Sequence, residues 1–290
     1  MRVLCVSELY SPPRRRAEIQ RRLLRWYARS ARDLPWRRTT DPYAVLVSEV
    51  MLQQTQVSRV MPAYAAFLER FPTLARLADA ALGDVLRAWG GLGYPRRARD
   101  LHRSAQLSRD GLPRGRAALD LLPGVGRYTA GAVACFAHGE DEAFADTNIA
   151  RVLGRVVLGT AAGPRDGEAI DAELLPRGDS SRWHHALMDL GATVCVARAP
   201  RCAGCPLETV CRARSRGIVA APAPRRQAAY ATSDRRIRGQ ILRVLRDDPA
   251  GATVAALERR IADERVRRLV VTLAAEGLVE RSGRRMRLPV

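Results

Sequence analysis

Apolar residues recur at helical spacing along most of the chain. In AEIQRRLLRWYARS (17–30), Ile19, Leu23, Leu24 and Tyr27 form one stripe on an otherwise charged segment. DLPWRRTTDPY (33–43) breaks the pattern with prolines, and a helix is predicted from Asp41 or Pro42, where proline suits the first turn. Further helices are predicted over 62–71, 74–80, 82–89, 94–108, 115–122, 127–138, 147–159 and 181–195. Strand patterns are weak through residue 212, so this region is expected to be all-α. The Ala-, Pro- and Arg-rich stretch 213–232 has no period and reads as a linker, and residues 1–16 read as a basic leader.

Beyond the linker the periods return. SDRRIRGQILRVLRDD starts a helix at Ser233 or Asp234, TVAALERRI is a second, and ERVRRLVVTLAAEG is a third, closed by Gly277. LVERSGRRMRLPV alternates like a hairpin around Ser282 and Gly283. Three helices and a hairpin predict a winged helix-turn-helix over 233–290.

Charge sharpens the picture. The 290 residues carry 49 basic against 30 acidic side chains, for a net charge of +19. Such a field favours a polyanion, nucleic acid first, although a codon bias toward arginine contributes to the excess. Every one of the 49 is arginine, so no lysine Schiff base can form. No run of about 18 apolar residues is present, and the apolar stretch at the N-terminus is too short for a signal peptide. A cytoplasmic protein is expected.

Two local patterns carry chemistry. Cys195, Cys202, Cys205 and Cys211 follow C-x6-C-x2-C-x5-C. Four thiolates in so short a run can wrap one metal centre, and a single C-x2-C with a long arm favours [4Fe-4S] over zinc. Arg198, Arg201 and Arg212 around this run are placed to meet phosphates. The second pattern is LPGVGRYTAGAV, Leu122 to Val133. Gly124 and Gly126 leave room for a close backbone approach, and the following helix, beginning near Arg127, aims its first amides at an anion. Helices 115–122 and 127–138 around this turn form a helix-hairpin-helix, which holds a DNA backbone without reading sequence.

LPGVGRYTAGAV, FADTNIARVLGR (144–155) and the four-cysteine run together resemble the helix-hairpin-helix DNA glycosylases. LPWRRTTDPYAVLVSEVMLQQTQV and WGGLGYPRRARDLH narrow the resemblance to the MutY-type adenine DNA glycosylases, over about residues 17–212. It implies a six-helix barrel over 42–143 and an iron–sulfur helical domain from 17–41 and 144–212. It further implies removal of adenine mispaired with 8-oxoguanine or guanine in double-stranded DNA, by a monomer associated with the nucleoid. Glu49 would protonate the base; apolar residues three and four positions away favour a raised, proton-holding carboxyl. Asp146 would stabilise the positive sugar, and it also suits a helix N-cap. Asn148 would sit near the acid and the water.

Tyr128 stands where lyase-active relatives such as endonuclease III carry a catalytic lysine. A phenol cannot form an imine, so base removal without a lyase step is expected. Gln54 would insert into the duplex, Tyr94 would stack there, and Arg127 would join the hairpin at the backbone. Arg32, Trp36 and His185 would line the adenine pocket. His185 replaces the family's Gln or Glu, and Pro95 replaces a second tyrosine. Typical members end in a Nudix-like domain, which 233–290 does not resemble; its arginines are expected to clamp the duplex across from the lesion. Two other readings stay open: a thymine or uracil mismatch glycosylase, and a non-catalytic iron–sulfur DNA-binding regulator.

Overall fold

The computed structural model describes residues 12–217 and 229–290. Most of the expected leader and linker lies outside them. The helices in chain order are α1 (Pro13–Ser30), α2 (Pro42–Leu52), α3 (Val57–Arg70), α4 (Leu74–Ala78), α5 (Leu82–Trp89), α6 (Arg96–Leu107), α7 (Arg116–Leu119), α8 (Arg127–His138), α9 (Thr147–Val157), α10 (Pro164–Leu174), α11 (Ser180–Thr193), α12 (Arg212–Ser215), α13 (Asp234–Asp247), α14 (Val254–Ile261) and α15 (Val266–Ala275). The strands β1 (Glu280–Ser282) and β2 (Arg285–Arg287) follow. The expected all-α architecture is present, ending in the winged helix. No described helix is long and apolar enough to cross a membrane.

Contacts divide the chain into two compact units. The described residues of the first are 12–45, 114–121 and 125–217; those of the second are 46–113, 122–124 and 229–290. The first unit is built around α9, whose Ile149, Ala150, Val152, Leu153 and Val156 are almost wholly buried. Helix α10 was not anticipated from the pattern, because only Ile170 and Leu174 repeat at helical spacing. It packs on α9 through Gly167, where a Cβ would lie 2.5 Å from that of Ala150. A backbone approach that close admits no side chain, and it leaves no hydrophobic signal in the sequence.

In the second unit, α3 begins at Val57, five residues earlier than expected, and carries Pro62 inside it. Proline removes one backbone donor. Burial of Val60, Tyr64 and Phe67 on one stripe outweighs that loss, since each large apolar side chain contributes about 1.5–3 kcal/mol. The winged helix packs Ile237, Ile241, Leu245, Leu257, Leu269, Leu273 and Met286 into one small core. Its hairpin pairs Ser282 with Arg285 and Arg281 with Met286, and Ala252 bridges Met286 as a third, one-residue strand. The C-terminal segment docks on α5, where the Gly83 amide donates to the Pro289 carbonyl at 2.7 Å.

Candidate active site and cysteine centre

The hairpin turn joins α7 to α8. Gly124 has φ +74°, and a Cβ there would meet the Asp100 Cβ at 2.8 Å, so both backbone and space demand glycine. The turn is held by Ser104 Oγ, which donates to the Pro123 carbonyl at 2.7 Å. Gly126 differs: its φ is −100°, and it caps α8 from extended backbone. Both glycines are exposed, and the space around a Cβ at Gly126 is open. The turn therefore leaves the first amides of α8 approachable. Arg127, on that first turn, is committed to Glu168 through two bonds of 2.7 and 2.8 Å, and Glu168 also takes Arg116 at 2.7 Å.

Asp146 is the N-cap of α9. Its Oδ1 accepts from the amides of Asn148 at 2.8 Å and Ile149 at 2.7 Å. Its Oδ2 accepts from Asn148 Nδ2 at 2.9 Å. Asn148 is turned by Arg151, which donates to its Oδ1 at 2.8 Å. The carboxylate is an N-cap, as the sequence pattern suits, and its direction is set by three donors. Tyr128 is half-buried and rests edge-on against Phe144, at 5.5 Å between centroids.

Beneath that segment lies a buried network the sequence did not reveal. Asp171, wholly buried, accepts from the Phe144 amide at 3.1 Å, Trp183 Nε1 at 2.7 Å and His184 Nε2 at 2.7 Å. His184 Nδ1 faces the Ser180 carbonyl at 2.8 Å. Both ring nitrogens face acceptors, so each donates and the ring is an imidazolium. Burial works against that charge, but Asp171 and Cys135 outweigh it and raise the ring to about 9. His184 also stacks on Phe144 at 3.8 Å. The network fixes the residue two places before Asp146.

Arg32, Trp36 and His185 lie in the same unit. Asp189, wholly buried, holds Arg32 Nε at 2.6 Å and Arg37 at 2.7 and 2.8 Å. It thereby pins the PWR loop, with Trp36 buried beside it in sequence. His185 stacks on Phe136 at 4.2 Å. Burial and the nearby Arg37 push it down to about 3, so the ring is neutral.

Glu49, in the second unit, is 6% exposed on α2, between buried Val45, Leu46, Val50 and Met51. Gln54 and Tyr94 are exposed and share a peculiarity: φ is +55° at Gln54 and +49° at Tyr94. Besides Ala262 they are the sole described non-glycine residues in the left-handed region, which costs roughly 1–3 kcal/mol and persists only where the surroundings offset it. Arg97 supplies the offset. Its guanidinium donates to the carbonyls of Val50, Met51 and Gln53 at the end of α2, to Thr55 Oγ1, and to the carbonyls of Leu92 and Gly93. It also lies 5.3 Å from the centroids of both Trp89 and Tyr94. One cation thus ties the Gln54 and Tyr94 turns together. Sequence reading passed over it as one arginine among many.

Cys195, Cys202, Cys205 and Cys211 line one cavity whose other walls include Val152, Leu190 and Leu207. Arg155, 4% exposed, donates to Cys195 Sγ at 3.3 Å and to the carbonyls of Val196 and Ala197, not to a carboxylate. A buried cation needs a compensating charge, and thiolate ligands supply one. Among the described residues, no three His, Cys, Asp or Glu side chains converge on a position for a single ion.

A family model described as HhH-GPD superfamily base excision DNA repair protein matches residues 47–176. The adenine DNA glycosylase of Mycolicibacterium smegmatis is 47% identical over 270 residues, covering 90% of this chain and 92% of that protein. The adenine DNA glycosylase of Mycobacterium tuberculosis is 45% identical over 273 residues, at 90% of each chain. Among solved structures, a thermostable thymine-DNA glycosylase superposes with a TM-score of 0.64 at 28% identity, over 70% of this chain and 98% of its own. At this identity and coverage, the chain belongs to the adenine DNA glycosylases of the helix-hairpin-helix superfamily.

Proposed function

We propose that the chain removes adenine mispaired with 8-oxoguanine or guanine from double-stranded DNA, by hydrolysis of the N-glycosidic bond. The observation that carries the reading is the pinned carboxylate of Asp146. Two backbone amides and Asn148 fix its direction, as a charge set against an oxocarbenium-like sugar requires. Glu49, buried among apolar neighbours, holds the proton for the departing base. The target nucleotide must leave the stack to be reached. Gln54 and Tyr94, exposed on turns locked by Arg97, enter the space it vacates. The hairpin amides of α8 grip the backbone. Tyr128 orders the pocket without attacking the sugar. With no lysine in the chain, the reaction ends at an abasic site.

Cys195, Cys202, Cys205 and Cys211 hold a [4Fe-4S] cluster, with Arg155 as the countercharge beside Cys195. Such a centre supplies structure and electrostatics. Iron and sulfide content of the purified protein tests this; zinc in place of iron overturns it.

The test of the activity is a mispaired-duplex panel with and without alkali. Release of adenine opposite 8-oxoguanine or guanine, with strand breaks appearing only after alkali, is the expected result. Glu49→Gln should abolish release and keep DNA binding. Release of thymine or uracil instead, or strand breaks without alkali, would refute the proposal.

A further inference from the structure

The winged helix is the part of the chain that base removal leaves without a task. Within the second unit, α13 lies along the Gly90–Arg97 segment. Arg246 donates to the Gly90 carbonyl at 2.7 Å, and Arg235 Nη1 stands 3.4 Å from the Tyr94 hydroxyl. Glu276 fastens the two together by taking Arg96 at 2.6 Å and Arg238. A groove of about 860 Å³ runs between α13 and that segment, and Gln54 and Tyr94 form part of its wall. Eight arginines and one carboxylate, Glu276, line it, and Leu86, Trp89 and Leu242 add apolar wall.

On the face of the winged helix away from the groove, the arginines of α15 are neutralised. On α15, the helix that reads DNA in many winged helices, Arg267 pairs with Glu258 at 3.0 Å and Arg268 with Asp234 at 2.8 Å. In the wing, Arg287 pairs with Glu280 at 2.8 Å, while Arg281 and Arg285 donate to the carbonyls of Gly283 and Gly251. In the groove, Arg96 and Arg238 share Glu276 and Arg236 lies 3.6 Å from Asp263, whereas Arg59 and Arg246 are held by the carbonyls of Gly91 and Gly90. A carbonyl orients a guanidinium without cancelling its charge. Arg243 is exposed on the same helix.

We infer that this groove holds the phosphate backbone of a DNA strand, so that the winged helix engages the duplex through α13 and not through α15. The inference rests on the DNA glycosylase reading and deepens it. A strand whose stack receives Gln54 and Tyr94 has its backbone beside these side chains, and guanidiniums match phosphate oxygens in both charge and geometry. The Glu276 latch keeps α13 in register with the Tyr94 turn, so the winged helix and the inserting residues would grip one stretch of DNA.

The test compares the full chain with Arg235→Gln/Arg243→Gln and with a control of equal charge loss on α14, Arg259→Gln/Arg260→Gln. The readout is the salt dependence of Kd for a duplex bearing one A·8-oxoguanine pair. Each lost phosphate contact flattens the slope of log Kd against log salt by about 0.9. The groove variant is therefore expected to lose about 2 from the slope, with the control at the parent slope and all three melting alike. A groove variant at the parent slope, or a control that loses as much, overturns the inference. Adenine release by the parent is measured on the same duplex. A parent that binds but releases nothing refutes the glycosylase reading, while the slopes still judge the groove.

Discussion

Replacing His184 with Phe removes both donors of the buried imidazolium but keeps an aromatic ring against Phe144 and Phe136. The folded protein holds this ring charged up to about 9, against an ordinary value of 6.5. At about 1.4 kcal/mol per tenfold change in proton affinity, the bias amounts to about 3 kcal/mol of stability, in line with the cost of breaking a buried pair. Because the folded value lies above the unfolded one, the contribution is complete below about 6.5 and lost as pH rises through about 9. Urea unfolding of parent and His184→Phe at pH 6 and pH 10 measures it. The variant should be less stable by about 3 kcal/mol at pH 6, and most of that gap should close by pH 10. Single-turnover adenine release should also fall in the variant at neutral pH, since Asp171 positions Phe144 and so the Asp146 cap. A gap of the same size at both pH values would refute the assignment of a charged, Asp171-paired ring.

Three other variants probe separate contacts. Arg97→Lys keeps the charge but cannot span six acceptors; it should lower stability by about 2 kcal/mol, visible in urea unfolding, and slow adenine release as the Gln54 and Tyr94 turns relax. Glu276→Gln removes the latch between α13 and α6. It should cost about 1 kcal/mol by thermal melting and steepen the salt dependence of DNA binding, because Arg96 and Arg238 lose their countercharge. Glu168→Gln releases Arg127 at the hairpin and should steepen the same dependence by about one phosphate contact; an unchanged slope would mean that Arg127 stays clear of the backbone.

Much of the site was legible because its signals are local. ADTN places an acidic residue immediately before an apolar helical period, which is a cap pattern whatever the fold. PGVG followed by a small-residue helix announces a turn open to an anion. Other features left no such trace. Trp183-His184-His185 contains two adjacent histidines, and periodicity does not say which is buried in an ion pair: His184 holds the network, and His185 stacks on Phe136. Arg97 lies in a segment with three other arginines, and only the approach of the Leu92–Gly93 carbonyls to the end of α2 singles it out. Asp189 and Asp171 carry no local signal of burial, because the segments that they anchor come from elsewhere in the chain.

By itself the sequence determined most of the helices, the winged-helix pattern, the hairpin glycines, the cysteine run and the exclusion of lysine chemistry, since side-chain direction along a helix follows from backbone geometry within a few residues. The tertiary structure alone decided which of many arginines are neutralised, which are caged and which are left to face a groove. Those outcomes depend on carboxylates and carbonyls far away in the chain, as in the 180 residues separating Arg96 from Glu276. Salt screens exposed charges over about 8–10 Å, so only the packed chain sets where this protein's charge remains available.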